Sequence, residues 1–163
     1  MPNPDTYSLV VNSMFVSKQF TYRFSRVLID SGSNILYRKT MIRLGLWESY
    51  LDSNNMVFHD IVPGLSYTPI GRIRLDVMFG SPDNFWREPL WFEVTDLSSP
   101  YHAHLGKPAL AKFMVIPHHA YLKMEMSSPH DVITVVGDYR CSIECAQAGS
   151  KLPESHILAA EKC

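Results

Sequence analysis

The chain has 163 residues, 46% of them hydrophobic and 19% charged, which is enough apolar side chain for the core of one ordinary domain and too much for a disordered one. Fifteen Lys and Arg against sixteen Asp and Glu leave a formal net charge of −1, so no basic surface is set aside for a phosphate backbone and no nucleic-acid partner is expected. No apolar run approaches the roughly 18 residues that span a bilayer, and Met1-Pro-Asn-Pro-Asp5 lacks the basic and apolar regions of a secretory signal, so a cytoplasmic chain without a membrane partner is expected.

In chain order, Tyr7-Ser-Leu-Val-Val11 is predicted as a short strand. Phe20-Thr-Tyr-Arg-Phe24 alternates, with Phe20, Tyr22 and Phe24 on one face, and Val27-Leu-Ile29 forms a second strand that stops at Asp30-Ser-Gly32. Lys39–Leu44 reads as a short helix closed by Gly45. Met56-Val-Phe58 begins another strand region and runs into the Pro63-Gly64 turn. Pro69–Phe79 is the cleanest period-two segment, with Ile73, Leu75, Val77 and Phe79 facing one way and Arg72, Arg74 and Asp76 the other. Gly80-Ser-Pro-Asp83 turns it back into Pro89–Val94. Pro108–Phe113 suits a helix with Pro at its first position. Ala120–Met124 and Val132–Val136 are expected as a closing pair of strands, and the rest is helical or loose. Short strands with turn chemistry between them predict a mainly β, barrel-like domain. Cys141, Cys145 and Cys163, an odd number crowded at one end, point to a reducing compartment rather than a disulfide framework.

The chemistry concentrates in Val27-Leu-Ile-Asp-Ser-Gly-Ser33, where a buried apolar strand delivers an acid into a hydroxyl-glycine turn. A carboxylate at the rim of a core is costly unless paired, hydrogen-bonded or protonated. Gly32 lets a second copy of the loop approach, and two aspartates sharing one proton hold a water with one as base and the other as acid. The tripeptide is also ordinary turn vocabulary. His118-His119 and His102-x-His104 are imidazole pairs, and Cys141-x3-Cys145 is a thiol pair, but neither is completed to a tetrahedral set, so no metal is expected. Tyr22, Phe24, Trp86, Trp91 and Phe92 are better explained by core packing and a substrate groove than by base stacking.

Asp30-Ser-Gly-Ser33, the glycine-bearing segment Phe58-His-Asp-Ile-Val-Pro-Gly64, the strand Pro69-Ile-Gly-Arg-Ile-Arg-Leu75 and the stretch Tyr101–Phe113 with its Leu105-Gly106 pair together resemble the retropepsins. The likeness is greatest to the protease of plant gypsy-type retrotransposon polyproteins. It covers residues 5–140 and leaves 141–163 as a helical or loose C-terminal tail. It implies an acid-protease barrel with short helices, one catalytic aspartate per chain, a homodimer, peptide or polyprotein substrates and no cofactor. Asp30 would be the catalytic acid, and Ser31 and Gly32 would brace the loop and meet their dimer mates. Part of Ile61–Tyr67 would be the flap, with Ile61, Val62, Pro63 and Gly64 against the substrate, and Leu105 and Gly106 would pack behind the loop.

The sequence departs from the family pattern in three places. Asn34-Ile-Leu follows Ser33 two residues early, Lys107 stands for the usual arginine, and His104 occupies an apolar, substrate-facing position. A buried, unpartnered ring at 104 would make His104→Ile stabilising by about 1–2 kcal/mol. The same residues also fit a second reading: a catalytically inactive remnant of a longer polyprotein, or a fold adopted for peptide binding or dimerisation.

Overall fold

The computed structural model describes residues 9–52, 69–118, 122–128, 131–138 and 140–145. The expected Met56–Phe58 strand and the flap residues Ile61, Val62, Pro63 and Gly64 lie outside these residues.

The protein is mainly β. Strands β1 (Leu9–Val16), β2 (Thr21–Ile29), β3 (Ile35–Tyr37), β4 (Gly71–Ser81), β5 (Asn84–Thr95) and β6 (Ala103–Leu105) close a barrel in the order β1-β2-β6-β3-β5-β4. A second, three-stranded sheet is formed by β7 (Ile116–His118), β8 (Lys123–Ser127) and β9 (Val132–Val136). Helix α1 (Arg38–Arg43) follows β3 and α2 (Lys107–Phe113) follows β6.

The period-two segment behaves as its pattern requires. β4 and β5 pair antiparallel over eleven registered residues from Gly71↔Val94 to Ser81↔Asn84, with Ile73, Leu75, Val77 and Phe79 buried. They meet Leu90, Phe92 and Val94 from β5 and Phe15 and Phe24 from the first hairpin in one core. Phe15 packs edge-on against Phe24 at 5.6 Å and against Phe92 at 5.5 Å.

Three expectations change. Phe20–Phe24 and Val27–Ile29 are one strand, because β2 pairs with β1 through an irregularity between Val11 and Ser13 that keeps the ladder going. The shared face of Phe20, Tyr22 and Phe24 does not share burial: Phe24 is in the core, whereas Phe20 and Tyr22 lie beyond the sheet's cover and are exposed. Of the strand expected at Ala120–Met124, Ala120 and Tyr121 lie outside the described residues, and β8 starts at Lys123, directly after Leu122 takes a left-handed φ of 49°. Helix α1 ends as its sequence suggests: Gly45 takes φ +74°, its N–H reaches the Ile42 carbonyl at 2.9 Å, and Leu46 N–H reaches Met41 at 3.2 Å.

Residues 140–145 form a helical turn docked on the barrel's outer face. Cys141 packs there with Val10, Leu28 and Tyr101, and Cys145 is fully buried. Asp138 is tied to this turn: its carboxylate accepts from Cys141 N–H at 2.9 Å and its carbonyl from Ser142 N–H at 2.9 Å.

Candidate active site

The loop carrying Asp30 is held between two three-residue strands that bring distant segments together. β6 runs parallel to β2, pairing Leu28 with His104 and Ile29 with Leu105, and antiparallel to β3. Asp30 N–H continues that ladder to the Leu105 carbonyl at 3.0 Å, and Lys107 N–H reaches the Gly32 carbonyl at 2.8 Å. Gly106 sits directly behind Gly32, where a Cβ would overlap the Gly32 carbonyl oxygen and the Ser33 backbone. Only glycine allows that approach.

Asn34 secures the loop from inside. It is 2% exposed; its Oδ1 accepts from Gly106 N–H at 2.8 Å and its Nδ2 donates to the Trp91 carbonyl at 3.1 Å, while its own carbonyl accepts from Glu93 N–H at 3.0 Å. One buried amide therefore ties the loop to β6 and β5. Ser31, by contrast, is exposed at the tip, and Gly32 is half-buried.

The Asp30 carboxyl is anchored at both oxygens. Oδ1 accepts from Gly32 N–H, and Oδ2 lies 3.1 Å from His104 Nδ1. The other ring nitrogen, Nε2, lies 2.9 Å from the Tyr37 hydroxyl. Burial alone would raise the carboxyl's pKa. The His104 bond, the Gly32 N–H and the ring's charge outweigh it and hold Asp30 below the ordinary aspartate value. Asp30 remains open at its outer edge, with 32% of its side chain exposed against 13% for His104.

One fold neighbour gives this arrangement a context. The crystal structure of the retroviral protease-like domain of Ddi1 from Leishmania major aligns with 88% of this chain and 98% of its own length, with a TM-score of 0.51 and 16% identity. The fold is retropepsin-like. No family profile and no curated protein matches the sequence.

Within this retropepsin-like fold, the structure brings Gly32 and His104 onto the Asp30 carboxyl and seats Leu105 and Gly106 against the loop, while Ser31 stands exposed at the tip. His104 is the main revision. Its ring has two polar partners, so His104→Ile is expected to lower stability by about 1–2 kcal/mol, read as a lower melting temperature, instead of raising it. Asn34 and Tyr37 are the residues that sequence reasoning missed. Asn34 directly precedes the apolar pair Ile35-Leu36, and a buried polar residue there is the signal that could have flagged it. Tyr37 carried no such signal, because its partner is 67 residues away.

A second histidine lies deeper. His102 Nδ1 accepts from Arg26 N–H at 3.2 Å, Arg26 Nη2 approaches Nε2 at 2.8 Å, and Arg26 Nε donates to the Pro100 carbonyl at 2.7 Å. Burial, with Arg26 and Arg43 adding to it, pushes the His102 ring down to about 3, so it is neutral in the folded protein. Among the described residues no group of three or more His, Cys, Asp or Glu is arranged to hold a metal ion, and no helix is long and apolar enough to cross a membrane.

Proposed function

We propose that this chain is one half of an aspartic endopeptidase, with the attacking water held between Asp30 and the Asp30 of a second copy. The observation that carries this reading is the delivery of Asp30 from a buried strand into a tightly tied loop, its Oδ1 on Gly32 N–H and its outer edge open. Two carboxylates at close range share one proton, because both cannot ionise cheaply. The ionised one takes a proton from water as the water attacks the peptide carbonyl, and the protonated one gives its proton to the carbonyl oxygen. Collapse of the tetrahedral intermediate breaks the C–N bond as the first carboxyl passes the proton it took from water to the leaving nitrogen, and the second recovers its proton from a hydroxyl of the intermediate.

One chain offers one such carboxylate, so dimerisation is part of the mechanism. The exposed Ser31 and the half-buried Gly32 at the loop tip suit an approach by their counterparts. Ile61, Val62, Pro63 and Gly64 would close over the peptide and exclude water. His104 would border the substrate. Peptide or polyprotein substrates and a plant gypsy-type retrotransposon origin rest on the sequence resemblance.

A second reading has its own observation. His104 gives Asp30 a partner within one chain, so the carboxylate is satisfied without a twin, as suits an inactive peptide-binding or dimerisation module. Peptide-library cleavage at mildly acidic pH, with and without pepstatin and beside Asp30→Asn, separates the two. The protease reading expects pepstatin-sensitive cleavage that Asp30→Asn abolishes and a dimer in sedimentation. Cleavage that survives Asp30→Asn overturns it, and a dimer inert toward every peptide supports the second reading.

A further inference from the structure

His104 reaches Asp30 through strand register rather than through a loop. It pairs with Leu28 across β2 and β6, and side chains alternate along β2, so Leu28 and Asp30 share the face on which the ring lies. The ring is also clamped. Tyr37 meets it at 5.4 Å between centroids with planes 65° apart, and Tyr101 meets it at 5.4 Å and 88°. A carboxylate only accepts hydrogen bonds, which assigns the Nδ1 hydrogen to the Asp30 contact. The Tyr37 hydroxyl can donate to a neutral Nε2 or accept from a protonated one, so the chain Tyr37–His104–Asp30 stays satisfied in either charge state of the ring.

We propose that His104, braced by Tyr37, is a positioning residue that fixes the orientation of the Asp30 carboxyl and supplies it with a donor inside a single protomer. The catalytic consequence rests on the protease reading above. Each Asp30 enters the dimer already hydrogen-bonded as a carboxylate, so the proton the two must share is held less tightly. Cleavage then fades at a lower pH than it would without His104.

The surrounding groups leave that effect readable. Tyr101, from the segment before β6, is pushed up to about 12 by burial, with Cys145 and Tyr37 adding to it, and stays a neutral phenol. His102, on the approach to β6, stays a neutral imidazole. Cys145 is buried in the terminal turn with its thiol toward the Pro100 carbonyl, and Lys107 at the start of α2 is exposed. Among the described residues, the groups bonded to the Asp30 carboxylate are Gly32 N–H and His104.

The test follows the Asp30 carboxyl carbon by NMR through a pH titration of the full chain, the signal being assigned by its loss in Asp30→Asn. Wild type is compared with His104→Leu, His104→Asn and Tyr37→Phe, and peptide-cleavage pH profiles are recorded on the same samples. The Asp30 midpoint is expected to rise by about one pH unit in His104→Leu, and by less in His104→Asn, whose amide nitrogen can stand where Nδ1 stands. Tyr37→Phe should give a smaller rise, and the alkaline limb of cleavage should move up with the midpoint. An unchanged midpoint in a folded His104→Leu, or equal shifts in the Leu and Asn variants, overturns the proposal. Should His104→Leu fail to fold, an unchanged midpoint in both His104→Asn and Tyr37→Phe does the same. A midpoint that moves while neither the wild type nor any variant cleaves a peptide leaves the positioning role standing and removes the protease reading instead.

Discussion

The barrel has two unlike halves. The β4–β5 hairpin is long, antiparallel and simply patterned, and its buried face is entirely apolar from Ile73 to Phe79. The β2–β6–β3 half sets two three-residue strands, β6 and β3, beside the longer β2 in partly parallel pairing and encloses Asn34, Arg26 and His102, with Asp30 and His104 at its rim. The first half holds itself together by area and local pairing. The second depends on a few polar groups and one close backbone contact, so single atoms matter more there. That is the expected division between scaffold and site.

The widest gap between the halves should appear at Gly106. A methyl group there must displace the Gly32 and Ser33 backbone, which cannot swing aside as a side chain would. Gly106→Ala is expected to cost about 3–5 kcal/mol and to abolish any cleavage, measured by denaturant unfolding beside the peptide assay. A substitution such as Arg74→Thr on the exposed face of β4 should stay within about 0.5 kcal/mol. Equal costs at the two positions would erase the contrast.

Acid sharpens it next. The His102 pKa is depressed in the folded state, so between its ordinary value and about 3 the unfolded chain binds the extra proton and stability falls as pH falls. Asp30 adds in the same direction lower down: its depressed pKa contributes stability that is lost as pH drops through the folded value. The His102 contribution amounts to about 2–3 kcal/mol between roughly pH 7.5 and pH 4.5. His102→Gln keeps an acceptor but does not titrate, and should flatten that slope in thermal melts. An equally steep slope in the variant would move the acid sensitivity elsewhere.

The same division decided what could be read from the sequence. Period-two alternation is local, so the core-facing residues Ile73 to Phe79 and the Pro89–Val94 part of β5 were legible, as was the Gly45 stop of α1; the expected turn at Gly80-Ser-Pro-Asp83 is shorter, because Gly80 and Ser81 still pair with Phe85 and Asn84, and β5 begins at Asn84. β3 and β6 are too short to show a period, and their pairing joins Ile35 to His104 across a long stretch of chain. No pattern in a window of ten residues carries that information. Asp30-Ser-Gly32 and the Leu105-Gly106 pair were legible as motifs because they are covalently compact. The partners of His104 were not, because a polar ring at an apolar position looks like a cost until Tyr37 and Asp30 are seen on either side of it.

Asn34 tests whether the short loop depends on one buried amide. Asn34→Ala removes the acceptor for Gly106 N–H and the donor to the Trp91 carbonyl, and should cost about 2 kcal/mol in chemical unfolding. Any cleavage activity should fall further than stability does, because small displacements of a catalytic carboxyl are amplified in rate. If activity survives in proportion to the folded fraction, the loop is fixed by its backbone bonds alone.

The smallest effect lies on the hairpin. Arg87 Nε and Asp76 Oδ2 are 2.6 Å apart, closer than His104 and Asp30, yet the Arg87 side chain is 47% exposed. Water screens this pair and two side chains must be ordered to make it, so a double-mutant cycle with Arg87→Met and Asp76→Asn should return a coupling below about 1 kcal/mol. In about 1 M salt, where the screening length falls to about 3 Å, that coupling should vanish. The His104–Asp30 coupling, measured the same way, should keep most of its size, because solvent and counterions reach the 13%-exposed ring poorly. Were the shorter contact also the stronger and the more salt-resistant, distance rather than burial would rank these two polar pairs, and His104 would lose its claim on Asp30.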